Sequence, residues 1–281
     1  MNTTLAAQAL RFHSLHDTAR PLALANAWDV ASALVVEAAG AQAVATTSAG
    51  VAWSMGMPDG DRLGRERALA VITRIAAAVT VPVTADIESG FAAATADVAV
   101  TVEGLLAAGA VGINIEDGAC GVDELAARIA VVRTVADRAG VRLFINARTD
   151  VFLRGIGAPD QRVTESINRA ARYLEAGADG IFVPGLVDAT TIAELTAGIG
   201  APVNVMAGPG SLSVAELARV GVARVSVGSG VAEAAYAVVH RATAELLASG
   251  TYESVAGGLE YGVLNGLLDA STRVLTDQAA H

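Results

Sequence analysis

Lysine is absent from this chain: all 19 basic residues are arginine. That gap removes Schiff-base aldolase chemistry, pyridoxal phosphate attachment and the P-loop, each of which needs a lysine amine. Histidine is scarce. His13, His16, His240 and His281 are the full set, and none falls at the end of a predicted strand, so a Ser-His-Asp or Cys-His hydrolase is not expected. The single cysteine, Cys120, excludes an intrachain disulfide and makes the cytoplasm the expected compartment. No uninterrupted apolar run reaches the ~18 residues of a membrane span, so no membrane partner is expected. Residues 1–20 lack the basic start and apolar core of a signal peptide. A net charge of −10 argues against nucleic acid, whose binding rests on cationic contacts to phosphates, and reads as solubility. Carboxylate, arginine, amide and hydroxyl are what remain for polar chemistry.

What is present is a strict alternation. The chain has 281 residues, 53% of them hydrophobic, enough for one large core. Short apolar runs predict strands over Leu22–Ala27, Ala43–Ser48, Val81–Ile87, Gly112–Glu116, Leu143–Thr149, Gly180–Pro184, Pro202–Met206 and Arg224–Gly228. Between them, helical spacing of apolar residues predicts helices over Val30–Ala39, Arg65–Val79, Val98–Ala108, Val122–Ala139, Val163–Ala176, Thr190–Ala197 and Val214–Val220. Many of these stop at a glycine: Gly40, Gly109, Gly140, Gly177, Gly221. Near-continuous apolar strands alternating with helices mean a parallel sheet covered on both faces. Repeated eight times, the unit predicts an α/β chain folded as a (β/α)₈ TIM barrel. The first strand is followed by Trp28-Asp29 and no glycine, which weakens a dinucleotide-binding alternative. Residues 1–281 read as one domain, and 230–281 as a C-terminal helical extension whose apolar helices need something to pack on.

Three of the predicted strands finish in polar groups. Thr84-Ala-Asp86-Ile-Glu88-Ser-Gly90 places two carboxylates at i and i+2, which share a face if the strand continues through both. Adjacent carboxylates repel and lose solvation, and a hard divalent cation such as Mg²⁺ is the usual reason for such a pair. A structural pair neutralised by arginine is the plainer alternative. The next strand ends in Glu116-Asp117, and the one after in Asn146-Ala-Arg148-Thr-Asp150. Thr46, Thr47 and Ser48 end the second strand, Asn204 sits on the seventh, and Asp59 lies in a loop long enough to fold back over the second. In barrels of this kind the active site lies at the carboxyl ends of the strands.

With these residues in order, the chain resembles the isocitrate lyase / phosphoenolpyruvate mutase superfamily from Asn26 to about Gly228. The resemblance is carried by Thr-Ser-Ala-Gly…Gly-Met-Pro-Asp59, Ala-Asp86-Ile-Glu88-Ser-Gly90, Ile115-Glu116-Asp117 and Asn146-Ala-Arg148-Thr-Asp150. It implies Mg²⁺, with Mn²⁺ as the alternative, held directly by Asp86 and through water by Glu88, Glu116 and Asp59. Arg148 would clamp a substrate carboxylate, and Thr47, Ser48 and Ala49 would receive the rest of it. Asn204 is a further candidate substrate contact. Asp59, Glu88 and Arg148 form the implied catalytic set. The implied reaction is cleavage of a carbon–carbon bond in a small 2-oxo or 2-hydroxy carboxylate through an enolate. The implied assembly is a helix-swapped homo-oligomer, tetramer or dimer.

One departure narrows the chemistry. Lyases of the superfamily carry a long mobile loop after strand four with a lysine-lysine-cysteine-glycine-histidine type signature. Here Asp117 runs through Gly118-Ala-Cys120-Gly-Val-Asp into a helix, with neither lysine nor histidine. Decarboxylation of an oxaloacetate-like acid needs no starting base. A methylisocitrate-type retro-aldol cleavage would need water or Glu88 for that step. Carbon–phosphorus chemistry and a non-catalytic oxo-acid-binding role stand as alternatives. The remaining polar residues receive plain readings: Cys120 as a small filler, Ser211 or Ser213 as a helix cap, Asp29 and Asp150 as caps, Trp53 as a pocket cover or loop anchor, and His13 with His16 as a solvated face.

Overall fold

The structure, a computed structural model, describes residues 3–118 and 120–279, with side chains for 4–118 and 120–271. Its nine short strands are β1 (Leu22–Leu24), β2 (Asn26–Ala27), β3 (Val44–Thr46), β4 (Val83–Asp86), β5 (Gly112–Glu116), β6 (Phe144–Arg148), β7 (Gly180–Val183), β8 (Val203–Met206) and β9 (Arg224–Ser226). All pair in parallel, in the order β1-β9-β8-β7-β6-β5-β4-β3-β2. β1 and β2 are one stave broken at Ala25. Its first half pairs with β9 (Leu22↔Arg224) and its second with β3 (Asn26↔Ala45), so the ring joins across the split stave. These are the eight predicted staves of a TIM barrel, trimmed at their ends.

Eleven helices are defined among the described residues: α1 (Thr3–Ser14), α2 (Val30–Ala38), α3 (Ser48–Ser54), α4 (Arg65–Ala78), α5 (Val98–Ala108), α6 (Val122–Ala139), α7 (Arg162–Glu175), α8 (Ala189–Gly198), α9 (Val214–Arg219), α10 (Gly230–Ser249) and α11 (Tyr261–Ala279). Local chemistry sets their ends. Asp29 accepts from Ser32 N at 2.7 Å in a capping box, and Ser213 does the same with Glu216. Gly109 and Gly140 end α5 and α6 in the left-handed region, where a Cβ would be strained.

Two helices went unread in the sequence. α1 plugs the amino-terminal end of the barrel: Phe12 is fully buried and His16 stacks on Phe144 at 3.7 Å between centroids. Leu5, Ala9, Phe12 and His16 recur at helical spacing, and that is the signal for the plug. His13 and His16 are therefore not a solvated face. His13 Nε2 lies 3.0 Å from Arg142 O, while His16 Nδ1 donates to Phe12 O at 2.9 Å. Burial pushes the His16 pKa down to about 3, so the ring is neutral when folded. The second, α3, follows β3 directly, with Thr47 as its N-cap accepting from Gly50 N at 3.4 Å.

The extension after β9 divides in two. α11 folds back onto α2 and α4 of its own barrel, where Ser271 Oγ donates to Ala78 O at 3.3 Å. α10 touches the barrel through its first turns, with Ala232 fully buried. Beyond them Val239 and Leu247 are 63% and 81% exposed. No helix among the described residues is long and apolar enough to cross a membrane.

Candidate active site

A cavity of about 230 Å³ opens at the carboxyl ends of the strands. Thr47, Ser48, Ala49, Asp59, Asp86 and Arg148 line it. Asn26, Asn114, Ser226 and Ser229 complete a polar wall, while Leu153, Phe182 and Met206 supply an apolar one. Six of the sequence-predicted site residues therefore meet in one place.

Asp86 ends β4 and is held from two sides. Ser48 donates to its Oδ2 from both hydroxyl (2.9 Å) and backbone N–H (3.3 Å), and Glu88 N–H reaches its Oδ1 at 3.4 Å. Its own N–H donates to Thr46 Oγ1 at 2.9 Å. The strand does not continue to Glu88 as the i, i+2 reading required. Glu88 has φ +52°, so a left-handed turn, not strand alternation, brings it back toward Asp86. Glu88 Oε2 then accepts the backbone N–H of Asp61, while Ser89 Oγ donates to Asp61 Oδ2 at 2.5 Å. These two bonds tie the loop carrying Asp59 to the turn after β4. Asp61 went unread in the sequence.

Arg148 is the cation of the cavity wall. Its Nη1 pairs with Glu116 Oε2 at 2.5 Å, and its Nε and Nη2 grip the two oxygens of Asp150 at 2.6 and 3.2 Å. Asp150 is thus an arginine partner and not a helix cap. Gly118 makes the approach feasible, since a Cβ there would lie 2.8 Å from Asp150 Oδ2. Asp117 turns away from the cavity. It is buried beneath α7, accepting from Tyr173 OH at 2.7 Å, Arg169 Nη1 at 2.9 Å and Asp150 N at 2.9 Å. Asn204 also lies off the wall, bonded beneath the floor to Asn146 and to backbone carbonyls. Cys120 is half-buried with its thiol pushed up to about 11 by burial, as a filler should be. Trp53 lies in α3 and not in a loop; it packs edge-on to Tyr236 of α10, 6.2 Å between centroids, and does not line the cavity.

The electrostatics are lopsided. Burial raises Glu88 to about 7, helped by Asp61, Asp59 and Asp86. Glu116 is raised by burial and by Asp86 and Asp150, even though Arg148 pulls it down. Asp59 is raised by burial and by Asp86. For Arg148, the lowering effect of burial is more than offset by Glu116 and Asp150, so its cation is secured. Among the described residues no three acidic, histidine or cysteine side chains close into a metal cage. The donor set is nevertheless all oxygen, it holds more acids than cations, and Asp86 faces open space. That combination fits a hard divalent cation held through Asp86, with water between it and Asp59, Glu88 and Glu116.

The family model for phosphoenolpyruvate phosphomutase matches residues 12–247, and the chain belongs to this family, within the isocitrate lyase / phosphoenolpyruvate mutase superfamily of lyases and mutases acting on small carboxylates. An uncharacterized protein of Mycobacterium tuberculosis H37Rv is 41% identical over 238 residues, 84% of this chain and 88% of that protein. The 2-methylisocitrate lyase of Escherichia coli K12 is 30% identical over 192 residues, 65% of this chain and 64% of the enzyme. A solved structure from Burkholderia cenocepacia J2315, provisionally described as a phosphonomutase, superposes with a TM-score of 0.82 at 43% identity, covering 85% of this chain and 99% of that one.

Proposed function

We propose that this protein is a Mg²⁺-dependent lyase that cleaves a carbon–carbon bond of a small 2-oxo or 2-hydroxy carboxylate, as a decarboxylase or a retro-aldol enzyme. The observation that carries this reading is Arg148 and Asp86 facing the same small cavity at the barrel mouth. Arg148 has given three of its five N–H groups to Glu116 and Asp150, leaving two for a carboxylate. In the first turn of α3, Ser48 N–H is taken by Asp86 and Gly50 N–H by Thr47, which leaves the Ala49 N–H to meet an anionic oxygen. A cation at Asp86 would supply Lewis acidity toward the 2-oxo oxygen as the bond breaks. Phe182, its ring centroid 5.9 Å from the Arg148 guanidinium, and Leu153 would give a bound acid one apolar side. Glu88 is buried and does not line the cavity, so for a 2-hydroxy substrate its Oε1 would take the hydroxyl proton only through water, Oε2 being occupied by Asp61 N–H.

The short connection between β5 and α6 carries no lysine or histidine and its one thiol is neutral, which favours decarboxylation, a reaction that needs no base to start it, over retro-aldol cleavage. The similarity to the Burkholderia protein keeps a phosphonate as the second reading. A panel of oxaloacetate, 2-methylisocitrate, isocitrate and phosphonopyruvate, with and without Mg²⁺ and with Asp86→Ala alongside wild type, separates the two. Metal-dependent turnover of a carbon acid, lost in Asp86→Ala, is the expected result. Turnover of phosphonopyruvate alone would replace this reading by the second.

A further inference from the structure

The floor of the cavity is built from amides whose orientation is forced. Backbone oxygens only accept, so Asn204 must aim Nδ2 at Val205 O (2.8 Å) and Arg224 O (3.2 Å). Its Oδ1 is then left to accept Asn146 Nδ2 at 3.0 Å, and the same Nδ2 donates to Asn114 Oδ1 at 2.9 Å. A guanidinium only donates, and Arg224 Nη2 lies 3.1 Å from that same Asn114 oxygen. Both constraints fix the Asn114 amide one way. Its Nδ2 donates to nothing among the described residues, and Asn114 lines the cavity. Ser226 Oγ accepts from Asn204 Nδ2 at 3.2 Å, which leaves its own hydrogen to point elsewhere, and Ser226 lines the cavity too. Arg224 sits below, 1% exposed, with no acid bonded to it and with Nε and Nη1 unpartnered among the described residues. Burial lowers its pKa only to about 9, so the guanidinium stays charged at neutral pH.

The floor thus offers two hydrogen-bond donors over a buried cation that no acid bonds directly and that Asp86 supports from a distance. We propose that Asn114 Nδ2 and Ser226 Oγ form a second anion subsite at the cavity floor, taking the distal carboxylate of a dicarboxylic substrate while Arg148 holds the first. This rests on the reading of the site as a carboxylate site and narrows it to dicarboxylates. Asn146 and Arg224 are positioning residues, acting by fixing the polarity of the Asn114 amide.

The test is titration calorimetry of the full-length protein with Mg²⁺ against two matched pairs, malate with lactate and oxaloacetate with pyruvate. Wild type should favour the dicarboxylate in each pair by about tenfold or more, the effect of a charge-assisted hydrogen bond. Asn114→Asp keeps the shape and pairs with Arg224 but turns an oxygen toward the cavity. It should abolish the preference, so that each dicarboxylate binds no more tightly than its monocarboxylate partner. Ser226→Ala should reduce the preference in part, and a melting scan reports on folding separately. An unchanged ratio in Asn114→Asp, with Arg148-dependent binding of lactate or pyruvate intact, would overturn the floor subsite alone. Binding of no acid by wild type would overturn the carboxylate site and the subsite together.

Discussion

Arg148 is shared by two acids before any substrate arrives, so its value lies in geometry as much as in charge. Lysine at this position would keep the charge but lose the bidentate grip on Asp150 and the paired N–H groups that face a carboxylate. Arg148→Lys is expected to lower kcat/KM by about 10²-fold with little change in melting temperature, measured on the substrate that the turnover panel identifies. Asp117 behaves in the opposite way. It touches no cavity atom, yet its side chain is fully buried and accepts from Arg169 and Tyr173. Asp117→Ala would strand a guanidinium and a hydroxyl, and should cost about 3–5 kcal/mol in a urea titration. At this scale the sequence was partly legible. Asp86 and Arg148 stand out because charge at the end of an apolar strand has few structural excuses, and Asp59 because it closes the Gly-Met-Pro-Asp segment that carries the resemblance. Asn204 and Asn114 are indistinguishable in sequence: both are amides inside strands, and only depth along the barrel axis decides which one meets the cavity. Asp117 misleads for a related reason, since a one-residue step beyond Glu116 reverses the side to which a side chain points.

Among the elements, the eight staves and seven of the outer helices follow from apolar periodicity because each must bury one face whatever its neighbours do. Boundaries were less legible. β4 stops at Asp86, one residue short of the predicted Ile87, and the residues that follow are set by a left-handed turn at Glu88 that no side-chain pattern encodes. α3 is hidden because Gly50 and two serines make poor helix; the Thr47 cap and the burial of Ala49, Val51 and Ala52 stabilise it. α1 carries its own prediction. His16 is neutral in the folded plug but has an ordinary pKa near 6.5 when unfolded. Its folded value is depressed, so the contribution is fully present above about pH 6.5 and is lost as pH falls from there toward 3. Unfolding free energy should drop by about 2 kcal/mol between pH 7.5 and pH 5, and His16→Phe should remove most of that drop in parallel urea titrations.

The whole molecule exposes more apolar surface than a solitary barrel should. Along and after α10, Val239, Leu246, Leu247 and Tyr252 are 56–81% exposed, while α11 already occupies the groove between α2 and α4. We propose that α10 is covered by a second copy of the chain, in keeping with the helix-swapped assembly implied by the sequence. Sedimentation velocity at micromolar concentration should show a species at least twice the 28.2 kDa of one chain, and Val239→Glu with Leu247→Glu should shift it toward monomer. A wild-type monomer would sink the idea. The split first stave has a consequence of another kind, one of timing. Leu22 emerges early from the ribosome but pairs with Arg224, about two hundred residues later. Until that last strand is made, the nascent sheet has two unpaired parallel edges and nothing to close it. Synthesis that stalls before Arg224 should therefore leave an aggregation-prone sheet open by one stave, and closure waits until Arg224–Ser226 have cleared the ribosome.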